Sequence, residues 1–379
     1  DHRDLHLSIR RQRQMCIRDR LWKELGESLP TLDWNPVSLE WQTSTTARFS
    51  QTWLPAPLNT LWSISTFPTL PYRQRWELLN FLEKVWEGRS ELPSSLDLQM
   101  MDSWLTKIGQ TENVQKYLWS PLCRYLLGTS LNQTRAGNFI AILARIFFRS
   151  RHHRPRIAQP PQLSVLLERT LFQRLEEQGA TILNTVAIEH LQVEMDKITE
   201  VCTANGNRFS ADWYVAAINP TKLFSILPER LLARYSFFNQ ANYTNQIPIV
   251  KLRMLLEEKT KHSRLILHHG QFSWTLCHPL RLSKGTATLV SHVSTGDNNF
   301  LRESDEQIKN FAFETLQKIF PNQSFEHHYH SIVRDPWGFV PQTHGTESSH
   351  PVNQSPIPVS YTHLRAHETE AAGVCRLLL

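Results

Sequence analysis

The hydrophobic period of this chain changes near residue 240, and that change limits its folds more than any other feature. Upstream, apolar residues recur every third or fourth position, the period of an amphipathic helix. "YRQRWELLNFLEKVWEG" sets Trp76, Leu79, Leu82 and Trp86 along one face, with Gly88 as its stop. "SLDLQMMDSWLTKIGQ" turns Met101, Trp104, Leu105 and Ile108 inward and ends at Gly109. "ENVQKYLWSPLCRYLLG" places Pro121 inside a helical pattern, where the ring and missing N–H should kink or break it. "NQTRAGNFIAILARIFF" is a fourth helix; it is too short to span a membrane and carries Arg145. Downstream, "IPIVKLRMLL", "RLILHHG", "FSWTLCH", "TATLVSHVS" and "FEHHYHSIVR" are strand-like, interrupted by the helix "ESDEQIKNFAFETLQKIF" with Ser304 and Gln307 as its capping pair.

Between the two regimes lies a third pattern. Leu163, Leu167, Leu171 and Leu175 run to a glycine stop at Gly179. The strands "TIL" and "TVAIEHLQVE" follow, then "KITEVCT", an Asn205-Gly206 turn and "RFSADWYVAAI" as a small antiparallel excursion. "WYVAAINP" reads as a buried strand leading to Asn219-Pro220, and "TKLFSILPERL" opens another helix. Helices, a βαβ-like piece and a mixed sheet together make an α/β protein of two domains, with the chain crossing between them more than once.

Glycine is scarce at 13 of 379 residues, and no GxG pair occurs, so the chain holds no dinucleotide-binding fingerprint. Five scattered cysteines form no CxxC pair, which fits reduced thiols in a cytoplasmic protein. No GxSxG elbow supports Ser-His-Asp catalysis. On a strand, His328 and His330 of "HHYH" share one face, but no cysteine or carboxylate partner stands near them in sequence, and no metal is expected. His152-His153 and His268-His269 read as loop residues, and Arg253 and Arg334 as pocket or surface charges.

Residues 1–20 and 359–379 share no pattern with what adjoins them, and both resemble translated adapter tails at the edges of assembled sequence. They are set aside from fold reasoning. Without them 33 basic and 30 acidic residues remain, and the net charge falls from +6 to +3. That weakens a nucleic-acid reading of the isoelectric point of 9.1, and no nucleic-acid partner is expected. The local cluster "RSRHHRPR" (149–156) persists, either as a solvated loop or as a patch for anionic headgroups.

In order, "LPAPLNTLW", "MDSWLTKIGQ", "LWSPLCRYLLGTSLNQTRAGNFIAIL", the "LEEQGATILNTVAIEHL" unit and "SADWYVAAINPTKLFSILPERL" resemble the squalene-associated FAD-dependent desaturases, or hydroxysqualene dehydroxylases. These stand with phytoene desaturases and amine oxidases in one flavoprotein superfamily. The resemblance covers nearly all of 50–345. It implies an incomplete Rossmann-like FAD-binding domain interleaved with a substrate domain of mixed sheet and helices. The implied division is 21–155 helical cap, 156–226 FAD segment, 227–335 substrate domain and 336–358 a return towards the FAD domain.

The resemblance further implies that the strand "NTVAIE" lies beside the adenine end of FAD, with Val186 presenting its backbone N–H and C=O. Taken alone, Val186 is an ordinary sheet-core valine. Ala217, Asn219 and Pro220 would lie near the cofactor; relatives commonly carry Pro-Pro where this chain has Asn219-Pro220. Near 330–343, Pro336-Trp337 replaces part of a basic run, so no catalytic residue is assigned there. The family's glycine-rich loop and its second Gly-Asp flavin motif would precede residue 21 and follow residue 358. The chain is thus expected to be an inactive fragment that binds FAD weakly. The implied substrate is a long isoprenoid, hydroxysqualene first, in the cytoplasm with a peripheral contact at the inner membrane. A phytoene desaturase-like enzyme and a non-catalytic isoprenoid-binding scaffold are the alternatives.

Overall fold

The computed structural model describes residues 34–42, 46–48, 58–67, 71–87, 96, 99–148, 156–158, 172–195, 197–216, 218, 220–235, 247–257, 260–282, 285–321, 327–339 and 360–362. The chain divides into two compact units, one of residues 1–35, 156–187 and 378–379, the other of 36–155 and 188–377.

The smaller unit holds the short strand β3 (Arg156–Ala158), and in it Gly179 follows the helix Gln173–Glu177 at φ 84°, a left-handed conformation that glycine adopts without a Cβ penalty. Its amide donates to the Glu176 carbonyl at 2.9 Å, so the glycine stop is where the sequence places it. The rest of the leucine ladder lies outside the described residues. Residues 181–187 join no strand pairing among the described residues, so the strand "TIL" does not form there.

The larger unit is built on a mixed sheet. Its strands are β1 (Trp34–Gln42), β2 (Thr46–Arg48), β8 (Ile247–Leu256), β9 (Ser263–His268), β10 (Trp274–Leu282), β11 (Gly285–Thr295) and β12 (His327–Phe339), in the spatial order β12-β8-β11-β10-β9-β1-β2. β1 pairs with β9 in parallel, while the β8–β12 neighbours pair antiparallel. Glu40 of β1 takes a forked contact from Arg264 of β9, Nη2 to Oε2 at 2.7 Å and Nε to Oε2 at 3.1 Å, which pins the parallel register.

One face of this sheet carries the helix Asp305–Ile319. Ile308, Ala312, Leu316 and Ile319 are buried on it and pack on Val250, Leu252, Met254 and Leu256 of β8 and Val290 of β11. Each such aliphatic contributes about 1.5–3 kcal/mol on full burial. The capping box forms as expected: the Gln307 amide donates to Ser304 Oγ at 3.2 Å, and the Ser304 amide to Gln307 Oε1 at 3.0 Å. Gly338 of β12 is required by packing, because a Cβ there would collide with the Ile249 side chain.

The helical part begins with α1 (Leu58–Ser65) and α2 (Tyr72–Glu87), continues with α3 (Met101–Lys107), and then runs as Glu112–Val114, a π-helical turn Gln115–Trp119 and α4 (Ser120–Leu127) without interruption. Pro121 therefore does not break the helix. The wider i→i+5 spacing of the π turn ahead of it absorbs the missing donor. α5 (Ala136–Phe148) is a core helix, with Phe139, Ile140 and Leu143 buried. In α3, Met101, Trp104 and Leu105 are buried as expected, and Gly109 closes it at φ 84°.

In α2 one residue of the expected inward face, Trp76, turns outward, and the side chains of Leu82 and Trp86 lie outside the described residues. Leu78 and Phe81 are buried, while Trp76 is 61% exposed. Phe81 meets Trp119 at 4.0 Å between ring centroids, and this contact rotates Trp76 outward.

A separate three-stranded antiparallel meander follows: β4 (Ile188–Glu194), β5 (Lys197–Thr203) and β6 (Arg208–Phe209), with Gly206 at φ 85° in the turn. β7 (Tyr214–Ala216) and the helices Pro220–Ile226 and Glu229–Arg234 complete this region, whose core is Leu191, Val193, Ile198, Leu223, Phe224, Leu227 and Leu231. "WYVAAINP" is not a fully buried strand: Trp213 and Val215 are exposed. β7 pairs in parallel with β13 (Ser360–Thr362), which falls inside the tail set aside above. The β-favouring Ser-Tyr-Thr triplet pairs with an open strand edge, so this part of the tail does join the fold.

Candidate functional site

Strand register assembles a wall that no single segment reveals. On the sheet face opposite the helix Asp305–Ile319, cross-strand pairs place Val333, Lys251, Val293, Trp274, Leu267 and Trp41 in one row. Two residues along, Arg253, Ser291, Leu276, Leu265 and Leu39 form a second row. A third holds Leu255, Leu289, His278, Ser263 and Val37. The alternation of strand side chains puts all three rows on the same face.

Helices cover part of this wall. Tyr125 of α4 stands edge-on to Trp274 with centroids 5.7 Å apart, and Trp41 Nε1 donates to the Leu118 carbonyl at 3.4 Å. The wall is mainly aliphatic and aromatic, and its polar members are Lys251, Arg253, Ser291, His278 and Ser263. One is Lys251, half-buried, whose ammonium is pulled down to about 8 by burial and then by the neighbouring charge of Arg253. A lysine so shifted gives up and takes back a proton near neutral pH. Another is His278, whose Nδ1 lies 2.7 Å from Ser263 Oγ and whose ring burial lowers its pKa. Trp274 Nε1 and His278 Nε2 are buried and make no hydrogen bond among the described residues.

The opposite face carries a second polar chain. His268 Nε2 and His292 Nδ1 each lie 2.7 Å from Thr275 Oγ1, deep under the helix Asp305–Ile319. His268 is therefore a buried strand residue rather than a loop histidine. Arg334 is a structural charge. Its Nη2 donates to Asp305 Oδ1 at 2.6 Å and to the Glu303 carbonyl at 2.9 Å, at the N-terminus of that helix. Among the described residues, no three His, Cys, Asp or Glu side chains are placed to hold a metal ion. The side chain of His328 lies outside the described residues, and so does nearly all of the basic cluster 149–156. No helix among the described residues is long and apolar enough to cross a membrane.

Val186 lies in the smaller unit, two residues before β4, so the expected strand "NTVAIE" begins only at Ile188. It is half-buried, and neither its N–H nor its C=O enters a hydrogen bond among the described residues. Thr185 before it holds φ at 63°, a conformation unusual for a β-branched residue and of the kind stored at ligand-binding positions. Among the described residues, no glycine-rich turn opens a helix to hold a pyrophosphate. Pro220 opens the helix Pro220–Ile226, where its missing N–H costs nothing; Ala217 and Asn219 lie outside the described residues.

Sequence reading missed Lys251. The available signal was the parity of "IPIVKLRMLL": Val250, Leu252, Met254 and Leu256 make one apolar face, and Lys251 and Arg253 interrupt the other.

Solved structures share this fold. A putative protoporphyrinogen oxidase from Exiguobacterium sp. 255-15 is 14% identical, with TM-score 0.61 over 95% of this chain and 84% of that one. Cyclohexylamine oxidase from Brevibacterium oxydans IH-35A is 14% identical, with TM-score 0.59 over 95% and 85%. An oxidoreductase from Methanosarcina mazei is 13% identical, with TM-score 0.60 over 90% and 78%. The zeta-carotene desaturase of Synechocystis sp. is 19% identical over 311 residues, and the match spans 72% of this chain and 61% of that protein. The model of the flavin containing amine oxidoreductases matches residues 18–371 and reaches into both end segments. With that match over most of its length and an α/β fold of the amine oxidase type, the chain belongs to the flavin containing amine oxidoreductase family.

Proposed function

We propose that the protein is a flavin-dependent oxidoreductase of long isoprenoids, and that its substrate is hydroxysqualene, converted to squalene. The observation that carries this reading is the row Val333–Lys251–Val293–Trp274–Leu267–Trp41, a hydrocarbon wall with one proton-exchanging cation. A substrate with almost no polar atoms needs such a surface.

FAD, when bound in its reduced form, supplies the hydride that replaces the hydroxyl, and is itself oxidised. The hydroxyl takes up a proton and leaves as water. Lys251 is the group able to deliver that proton: with a pKa of about 8 it is mostly charged at neutral pH yet releases its proton readily. Val293, its neighbour on β11, is buried beside it. Val186 would hold the purine edge through its free N–H and C=O, and Ala217, Asn219 and Pro220 would lie near the same cofactor.

The likeness to a zeta-carotene desaturase favours a second reading, in which a carotenoid precursor loses hydride to oxidised flavin. Product analysis separates the two. The chain is given excess FAD, reduced and without oxygen for hydroxysqualene, oxidised for phytoene and zeta-carotene. Squalene in the first arm supports the proposal, and desaturated carotenoid in the second replaces it. Isoprenoid bound without conversion in either arm, with FAD shown by its absorbance to be bound to the chain, leaves the scaffold reading and sinks both.

A further inference from the structure

The outward tryptophan of α2 belongs to a larger surface. On α1, Leu58 and Trp62 are 52% and 54% exposed, and on α2, Tyr72 and Trp76 are 76% and 61% exposed. Each pair is spaced i, i+4, so each lies on one side of its helix. The two helices pack together, and Arg75 joins their exposed sides. Its Nη1 donates to the Ser65 carbonyl at 2.6 Å, one turn from Trp62, and its guanidinium lies 5.8 Å from the Tyr72 ring centre. Leu58, Trp62, Tyr72 and Trp76 thus form one apolar and aromatic patch rather than four isolated residues. Singly exposed apolar residues need no explanation, but a joined patch of this kind does.

We infer that this helical pair is a docking surface for an anionic lipid bilayer. The side-chain chemistry selects that occupant. Tryptophan and tyrosine pair an apolar body with a polar tip and settle at the headgroup boundary, and leucine reaches below it. The first turn of α2 holds Arg73 and Arg75 and no acidic residue, so the patch carries positive charge at its edge. A protein partner that buried this surface would have to cover Arg73, which is exposed and makes no ion pair among the described residues. Phosphate headgroups satisfy it directly.

The test is co-sedimentation of the full chain with vesicles of phosphatidylcholine alone and of phosphatidylcholine with phosphatidylglycerol, without flavin or isoprenoid. Binding is expected in the second and weakens with salt. The double variant Trp62→Ser, Trp76→Ser lowers it about tenfold, the ratio expected when about 1.4 kcal/mol of interfacial burial is lost. Arg73→Glu lowers binding to the anionic vesicles only. Trp213→Ser removes an exposed tryptophan elsewhere and leaves binding unchanged. Equal sedimentation of the double variant and the parent chain overturns the inference. So does a concentration-dependent dimer that the double variant abolishes, because the patch would then be covered by a second copy. Since no cofactor or substrate is present, neither result bears on the oxidoreductase reading.

Discussion

Acid should loosen this protein through two histidines, and replacing one of them should restore a calculable share of the loss. His268 and His292 are buried on either side of Thr275, and burial lowers each from 6.5 to about 3. Lys318 adds to the shift at His268, and His268 adds to it at His292. Both rings stay neutral in the folded chain and become protonated on unfolding below 6.5. Their contribution is therefore intact above that pH and is lost as pH falls from 6.5 towards 3. At pH 5 each group has lost about 2 kcal/mol, at 1.36 kcal/mol per pH unit below 6.5. The pair together removes about 4 kcal/mol from a total that is typically about 5–15 kcal/mol. In His292→Phe the new ring meets Phe272, whose centroid lies 4.9 Å from the imidazole, and Thr275 keeps its bond to His268. Urea unfolding followed by tryptophan fluorescence, at pH 7 and pH 5, measures the difference for the parent chain and the variant. The variant should lose about 2 kcal/mol less than the parent between the two pH values. Equal losses would refute the claim that His292 is held neutral in the core.

Three further outcomes rest on separate parts of the fold. Gly338→Ala forces a methyl into Ile249 and should cost about 1–3 kcal/mol in urea unfolding. Ser304→Ala removes one half of the capping box and should cost about 1 kcal/mol, with the loss reduced when the variant is Ser304→Asp. Burial pushes the Cys123 thiol up to about 11 and the Cys277 thiol up to about 12, so neither should react with Ellman's reagent until the chain unfolds.

Elements whose signals are local are legible in the amino-acid sequence itself. The strand β8 coincides with "IPIVKLRMLL", and Ser304 and Gln307 announce their helix because capping chemistry depends on residues three apart. Gly109, Gly179 and Gly206 likewise mark the stops and turn that the sequence assigns to them. What depends on distant partners is not legible. The face of α2 is chosen by the Phe81–Trp119 contact, between residues 38 positions apart, and the apolar period alone points to Trp76. His268 looks like a loop residue beside Gly270, and only the pairing of β9 with β10 buries it. Lys251 gains meaning from Val293 and Trp274, which reach it through two strand registers. Val186 differs again. Its edge chemistry is backbone chemistry, so its side chain carries no signal, and the resemblance of the surrounding segment is the sole pointer.

The central claim is that a long isoprenoid lies along the row containing Lys251, and protection of that lysine tests it most directly. With a pKa of about 8, Lys251 offers a neutral amine to an acylating reagent at mildly alkaline pH, where ordinary lysines are still charged. The chain is acylated with and without hydroxysqualene, and modification at Lys251 is followed by mass spectrometry, with the exposed Lys107 as reference. The account predicts that hydroxysqualene slows acylation at Lys251 and leaves Lys107 unchanged. An unchanged rate at Lys251, at substrate levels shown to bind, would contradict it.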